Sequence, residues 1–235
     1  MLIPCIYEHN GNDTLLWAEQ LPGSFTRGKS LDEAQSKMDA EIRSFCKWAG
    51  KTVTEPIETA IVQEKESTLQ IRDADSDVLF DSEKEAPDED VYLRLKALTL
   101  RSATDFYTLY QSIPDKNKSV FPPRTTFSGS VPRTAKEMYE HTKNVNEYYF
   151  AEIEVDADNE GTIVECRQRG FEKLELKNDY LRAQVFEGSY GEDWTLPKVL
   201  RRFLWHDRIH AKAMMRMARA TFPGIEFPDV FGFRC

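Results

Sequence analysis

The sequence predicts an α+β protein in two parts. A small N-terminal domain over residues 1–82, ordered strand-strand-helix-strand, is followed by an up-down four-helix bundle over residues 83–235. Three observations predict this division. The first eighty or so residues mix short β-like segments with one amphipathic helical pattern. The acidic, apolar-poor run DSEKEAPDED, residues 81–90, then marks a seam. Beyond it, apolar residues recur at spacings of three and four over four long stretches, which is the pattern of helices packing on one another.

Each element has its own signal. LIPCIYEH reads as a first strand, and TLLWAEQL follows as a second after the turn-forming residues Asn10 to Asp13. Pro22, Gly23 and Gly28 break the chain before Ser30, which with Glu33 makes a capping-box pattern. Leu31, Ala34, Met38, Ile42, Phe45 and Ala49 then fall on one helical face, and Gly50 stops the helix. ETAIVQEK and DVLFDS are read as two further strands. In the second part, a helix to about Ser112 carries Leu95, Leu98, Ser102, Phe106, Leu109 and Ile113 on its inner face and ends at Pro114. A second starts at Thr134, with Glu137 completing a capping box, and a third spans about Thr162 to Lys177. The fourth opens near Thr195 with Pro197 in its first turn and runs to about Thr221.

Bulk properties narrow the function classes. A net charge of −9 argues against a general nucleic-acid binder and against an anionic membrane surface. No stretch is long and apolar enough to span a bilayer, and MLIPCIYEHN lacks the features of a signal peptide, so the expected location is cytoplasmic. Cys5, Cys46, Cys166 and Cys235 are widely separated with no C-x-x-C pair, and they read as free thiols.

The chain has four histidines, and three of them sit in apolar helical stripes. On the last helix, Leu196, Val199, Phe203, His206, His210, Met214 and Met217 form one stripe. On the second helix of the bundle, Met138, His141, Val145, Tyr148 and Glu152 form another. Side chains at i and i+4 lie one above the other, close enough for two imidazoles to reach one cation, and a third from a facing helix completes a three-ligand site with a position left for water or substrate. The opposing reading is that these are packing residues, each hydrogen-bonded to a neighbour. His9 is read as a surface residue.

LTLRSATDFYTLYQSIPD, the histidine of AKEMYEHTKNVNEYYF, and YGEDWTLPKVLRRFLWHDRIHAK together resemble the DinB-like superfamily of four-helix-bundle proteins. That resemblance implies a divalent metal, zinc or nickel first among those that imidazole suits, held by His141, His206 and His210. It also implies a metal-dependent transferase or hydrolase that activates a low-molecular-weight thiol or a water toward a small-molecule substrate. LPGSFTRGKSLDEAQSKMDAEIRSF resembles HicB-like antitoxin domains, which implies a protein partner for the N-terminal part. The alternatives are a non-catalytic binding module with a structural metal and an antitoxin-like partner-binding protein. A homodimer would suit an exposed apolar face.

Arg202, one turn before His206, is the expected substrate contact, and Tyr148 and Trp194 could line a pocket. Arg201, Arg202, Arg208, Lys212, Arg216 and Arg219 read mainly as a solvated basic face. Cys166 has no electropositive activator in sequence and reads as structural. DADNEG imitates a calcium loop, but Arg167 stands where the bidentate glutamate is required.

Overall fold

A computed structural model of the chain describes residues 1–126 and 129–233. These residues form an α+β structure. β1 (Leu2–Asn10) and β2 (Asp13–Ala18) make an antiparallel hairpin in which Asn10 faces Asp13, β3 (Phe25–Gly28) adds antiparallel to β2, and β4 (Glu58–Glu66) lies parallel to β1. The sheet order is β3-β2-β1-β4. Between β3 and β4 runs α1 (Leu31–Ala49), whose first turn is capped by the Ser30 hydroxyl accepting from the Glu33 N–H at 3.2 Å. Gly50 ends it in the left-handed conformation, φ 67°, donating to the carbonyls of Cys46 and Lys47.

The expected strand at DVLFDS is absent. Residues 77–80 are irregular and lead into a short 3-10 turn at Asp81–Lys84. The reason lies in who satisfies the backbone: side chains do what a ladder would. Lys198 donates to the Asp77 carbonyl at 2.9 Å, Arg201 to that of Val78 at 2.9 Å, and the Gln63 amide to that of Leu79 at 3.0 Å. Val78 and Phe80 keep the burial expected of strand residues by inserting beneath the sheet beside Ile6, Leu15, Trp17, Phe25 and Trp205.

Four more α-helices follow: α2 (Glu89–Ser112), α3 (Ala135–Ala151), α4 (Ile163–Glu175) and α5 (Leu196–Thr221). Thr134 with Glu137, and Thr162 with Glu165, form complete capping boxes, and the Thr195 hydroxyl caps α5. α2 packs on α3, α4 and α5, and α5 also packs on α3. Two two-residue ribbons complete the described structure, β5 (Thr125–Thr126) with β6 (Gly129–Ser130) and β7 (Phe186–Glu187) with β8 (Asp193–Trp194). Among the described residues no helix is long and apolar enough to cross a membrane.

The sheet and the later helices share apolar surroundings. One cluster holds Ile3, Cys5 and Leu16 of the sheet, Met38 and Phe45 of α1, Phe106 of α2, Met138 of α3, and Leu204 and Met214 of α5. Gly23, φ +91°, lets the β2–β3 turn meet α5 so closely that a Cβ there would lie 2.8 Å from that of Leu204. α5 is therefore enclosed, and every residue from Lys198 to Arg208 is buried.

That burial overturns the solvated basic face. Arg201, Arg202 and Arg208 are buried and Lys212 is half-buried, while Arg216 and Arg219 remain exposed. Carboxylates and carbonyls from residues 41–83 compensate them. Arg201 forms a two-pronged pair with Glu83 at 2.5 and 2.9 Å, and Glu41 of α1 receives Arg208 at 2.9 Å and Lys212 at 2.5 Å. A helix buried on most of its circumference tolerates cations only when they are paired in this way.

Candidate metal centre

His206 and His210 lie one turn apart on α5 and face His141 on α3. The ring centroids are 4.5 Å apart for His206 and His210, 4.7 Å for His141 and His210, and 5.0 Å for His141 and His206. One ligand atom from each lies within 4.8 Å of the other two, and among the described residues this is the one such group of three or more metal-binding side chains. His206 Nε2 and His141 Nε2 are 3.3 Å apart. Two nitrogens that share a tetrahedral cation at the usual zinc–nitrogen length are separated by roughly 3.3 Å. Before any relaxation, the pair already has the spacing of two ligands.

The protonation states agree with that geometry. Burial, then the neighbouring His210, His141, Arg202 and Arg167, hold the His206 imidazole well below its usual pKa. Burial and then His141 lower His210 to about 3. Desolvation also lowers His141. All three are neutral at pH 7, which is the form that binds metal. His206 Nε2 is within hydrogen-bonding distance of His141 Nε2, and its Nδ1 is buried without a hydrogen-bond partner.

His141 departs from expectation in its burial. The inward face of α3 is Met138, Tyr139, Thr142, Asn146, Tyr149 and Phe150, and His141 stands beside this stripe, exposed at its rim. Enough of the ring is enclosed to lower its pKa, yet one edge meets water. The cluster is thus graded from buried His206 through half-buried His210 to exposed His141, and a ligand would approach from the α3 side.

Aromatic residues back the buried end. Tyr149 meets His206 edge-on at 6.1 Å and packs against Trp194 at 5.4 Å, and Tyr148 meets Trp194 at 6.0 Å. Trp194 is fully buried, and Tyr148 is half-buried. Arg202 lies 4.6 Å from the Trp205 ring and donates to the Ser76 carbonyl at 2.8 Å, which turns its guanidinium toward the N-terminal part. Sequence reasoning missed the pair beside the site. Asp207, between two site helix residues, receives Arg167 of α4 at 2.7 and 3.3 Å with both side chains fully buried. The one available signal was Arg167 standing at an apolar-stripe position of α4, next to Cys166.

Other candidates resolve simply. Cys5, Cys46 and Cys166 are free and buried. Burial raises all three thiols, Cys5 to about 11, so none is a ready thiolate. Cys235 lies outside the described residues. In DADNEG the Asp158 carboxylate is held by Arg169. His9 stacks on Tyr7 at 4.5 Å and contacts Glu64 at 3.1 Å, so it is partly covered rather than free on the surface.

No family model, curated protein or solved structure matches the chain in the comparisons made with known proteins.

Proposed function

We propose that the chain is a metal-dependent protein of DinB-like type, in which α2 to α5 form the four-helix bundle and His141, His206 and His210 hold one divalent cation. The observation that carries this reading is the 3.3 Å approach of two Nε2 atoms from different helices, with a third imidazole in reach. Three neutral ligands suit zinc or nickel and leave a coordination position open, and a cation so held lowers the pKa of a bound water or thiol to supply a nucleophile at neutral pH.

The chain's own residues account for the remainder. The i, i+4 placement on α5 fixes two ligands to one rigid element, and Tyr149 and Trp194 exclude water from the His206 side. The rim position of His141 leaves the approach from α3 open to a small substrate. Among the described residues no carboxylate or thiolate joins the group, so the four-ligand arrangement of a structural metal has no support here.

Elemental analysis of untagged protein purified without chelator tests the proposal. About one metal per chain is expected in the native protein, with loss in both His206→Ala and His210→Ala. A protein that takes up no zinc or nickel on reconstitution, or that keeps its metal in both variants, overturns it.

A further inference from the structure

The two edges of the sheet differ. β3, at one edge, is four residues long, and its Arg27 carbonyl accepts from Lys37 of α1 at 2.7 Å while its Thr26 hydroxyl donates to the Ala34 carbonyl at 2.8 Å. β4, at the other edge, is nine residues long and pairs with β1 alone. The Glu58 N–H donates to the Met1 carbonyl at 2.9 Å and the Ser67 N–H to that of His9 at 2.7 Å, so both of these residues face β1. In a parallel pair, alternate residues face the partner strand. The register slips between Cys5 and Ile6, whose partners are Ile61 and Gln63, and Val62 is left as a bulge. Counting inward from each end, Thr59 and Ile61 before the bulge and Glu64 and Glu66 after it turn their backbone N–H and C=O groups away from β1. Among the described residues these groups meet no hydrogen-bond partner.

The edge is open and its chemistry is graded. Ile61 is 39% and Val62 58% exposed, although β-branched residues of a sheet are ordinarily covered. Thr59, Ile61, Glu64 and Glu66 stand beside Ile3, Cys5, Tyr7 and His9, which share one face of β1. That face is apolar toward the start of β4 and acidic toward its end. Lys65, the cation of the strand, lies on the other face and is bound to Asp77 at 2.7 Å.

A long unpaired edge admits another strand, and charge decides which one. A second copy is the wrong partner. Antiparallel self-pairing centred on Ile61 sets Glu58 against Glu64, centring it on Val62 sets Glu58 against Glu66, and centring it on Glu64 sets that residue against itself. Like charges directly opposed destabilise such a pair, whereas opposite charges stabilise it. The same glutamates that repel a copy therefore attract a basic strand.

We propose that β4 is the docking edge for an extended, basic segment of another protein. The segment adds antiparallel to β4, with apolar side chains beside Ile61 and Val62 and lysine or arginine beside Glu64 and Glu66. The outward backbone groups supply the affinity and the glutamates select the partner. This surface involves none of the three clustered histidines and does not rest on the metal reading.

The test is titration of the full chain, at low ionic strength, into a fluorescent peptide in which threonine alternates first with lysine and then with valine, read by anisotropy. Saturable binding is expected, with the counterpart carrying glutamate for lysine at least tenfold weaker. Glu66→Lys, alone and with Glu64→Lys, should weaken the lysine peptide, the pair at least tenfold, as opposed charges become like ones. Both positions are exposed, so these variants keep the fold. Glu172→Lys, an exposed carboxylate on α4, should leave the affinity unchanged. Amide hydrogen exchange followed by NMR should show protection gained at Thr59, Ile61, Glu64 and Glu66. Absence of saturable binding, equal losses in Glu172→Lys and the Glu64→Lys, Glu66→Lys pair, or binding without protection at those four amides overturns the proposal.

Discussion

Replacing Glu83 by glutamine tests whether the acidic run between the two halves of the chain is a tether or a structural joint. Glu83 is buried, and its carboxylate receives Arg201 Nε and Nη2 at 2.5 and 2.9 Å while also accepting the Phe80 N–H at 3.0 Å. Glutamine keeps one acceptor oxygen, which can still receive the Phe80 N–H, but it removes the charge and sets an N–H donor against Arg201 in place of the second acceptor. Arg201 would then remain 2% exposed, stacked 3.8 Å from the Phe80 ring, with no anion to compensate it. Breaking one side of a buried pair costs about 3–5 kcal/mol. For a chain of this size that is a fall in Tm of about 6 to 20 °C. The assay is thermal and urea unfolding of the full chain beside Lys84→Ala, which removes the exposed pair with Asp81 and should cost about 0–1 kcal/mol. A double variant, Glu83→Leu with Arg201→Met, should recover most of the loss, because the desolvation of both charges is removed together. If Glu83→Gln is no more destabilising than Lys84→Ala, residues 81–84 are a solvated linker and the account of α5 as an enclosed helix fails.

Three further predictions follow from the same packing. In metal-free protein the folded-state pKa values of His206 and His210 lie below the unfolded value, so the unfolded chain binds more protons as the pH falls below about 6.5 and stability drops by up to about 1.4 kcal/mol per pH unit for each ring. Urea unfolding between pH 7 and pH 5 should therefore be steeper in pH for the native chain than for a His206→Ala, His210→Ala double variant, and parallel curves would contradict the assigned neutral rings. Gly23→Ala forces a Cβ to 2.8 Å from that of Leu204 at a φ of +91°, and a loss of about 1–3 kcal/mol is expected by chemical denaturation. Tyr190→Gly acts in the opposite direction: Tyr190 is 97% exposed with φ 63°, and relief of the left-handed strain should raise stability by about 1 kcal/mol, measured in the same way.

The helices were legible because their signals are local. Ser30, Thr134, Thr162 and Thr195 each begin a helix one residue later, and Gly50 ends one, since caps depend on hydrogen bonds within four residues of chain. DVLFDS was misread because a short run of β-branched and aromatic residues between polar ones states only that it is buried, not that it pairs with a strand. Of what replaced its ladder, Lys198 and Arg201 lie more than a hundred residues away and Gln63 lies on a neighbouring strand. The burial of Arg201, Arg202 and Arg208 was illegible for the same reason, as their partners Glu83, Ser76 and Glu41 lie more than a hundred residues earlier. His206 and His210 were placed correctly by periodicity within one helix. His141 was placed near its true position but on the wrong side of the stripe boundary, because α3 buries Thr142 and Asn146, polar residues that a hydrophobic pattern passes over.

The placement of His141 also bears on how a cation held by these three histidines would be reached. Had it lain deep in the stripe, three buried imidazoles would enclose a cation, and substrate could reach it only by opening the helices. At the rim, its side chain joins a buried half of the site, fixed by α5, to a half that faces water. The fixed half is held from behind by α1 and the joint between the two halves: Glu41 and Glu83 grip α5 on either side of His206 through Arg208 and Arg201, and Asp207 ties the same stretch to α4 through Arg167. Those grips are charged, buried and geometrically demanding, so they contribute position more than net stability. α1 and the turn at Asp81–Lys84 thus form a back wall for the helix that carries His206 and His210, and replacing Glu41 or Glu83 should be felt at those histidines.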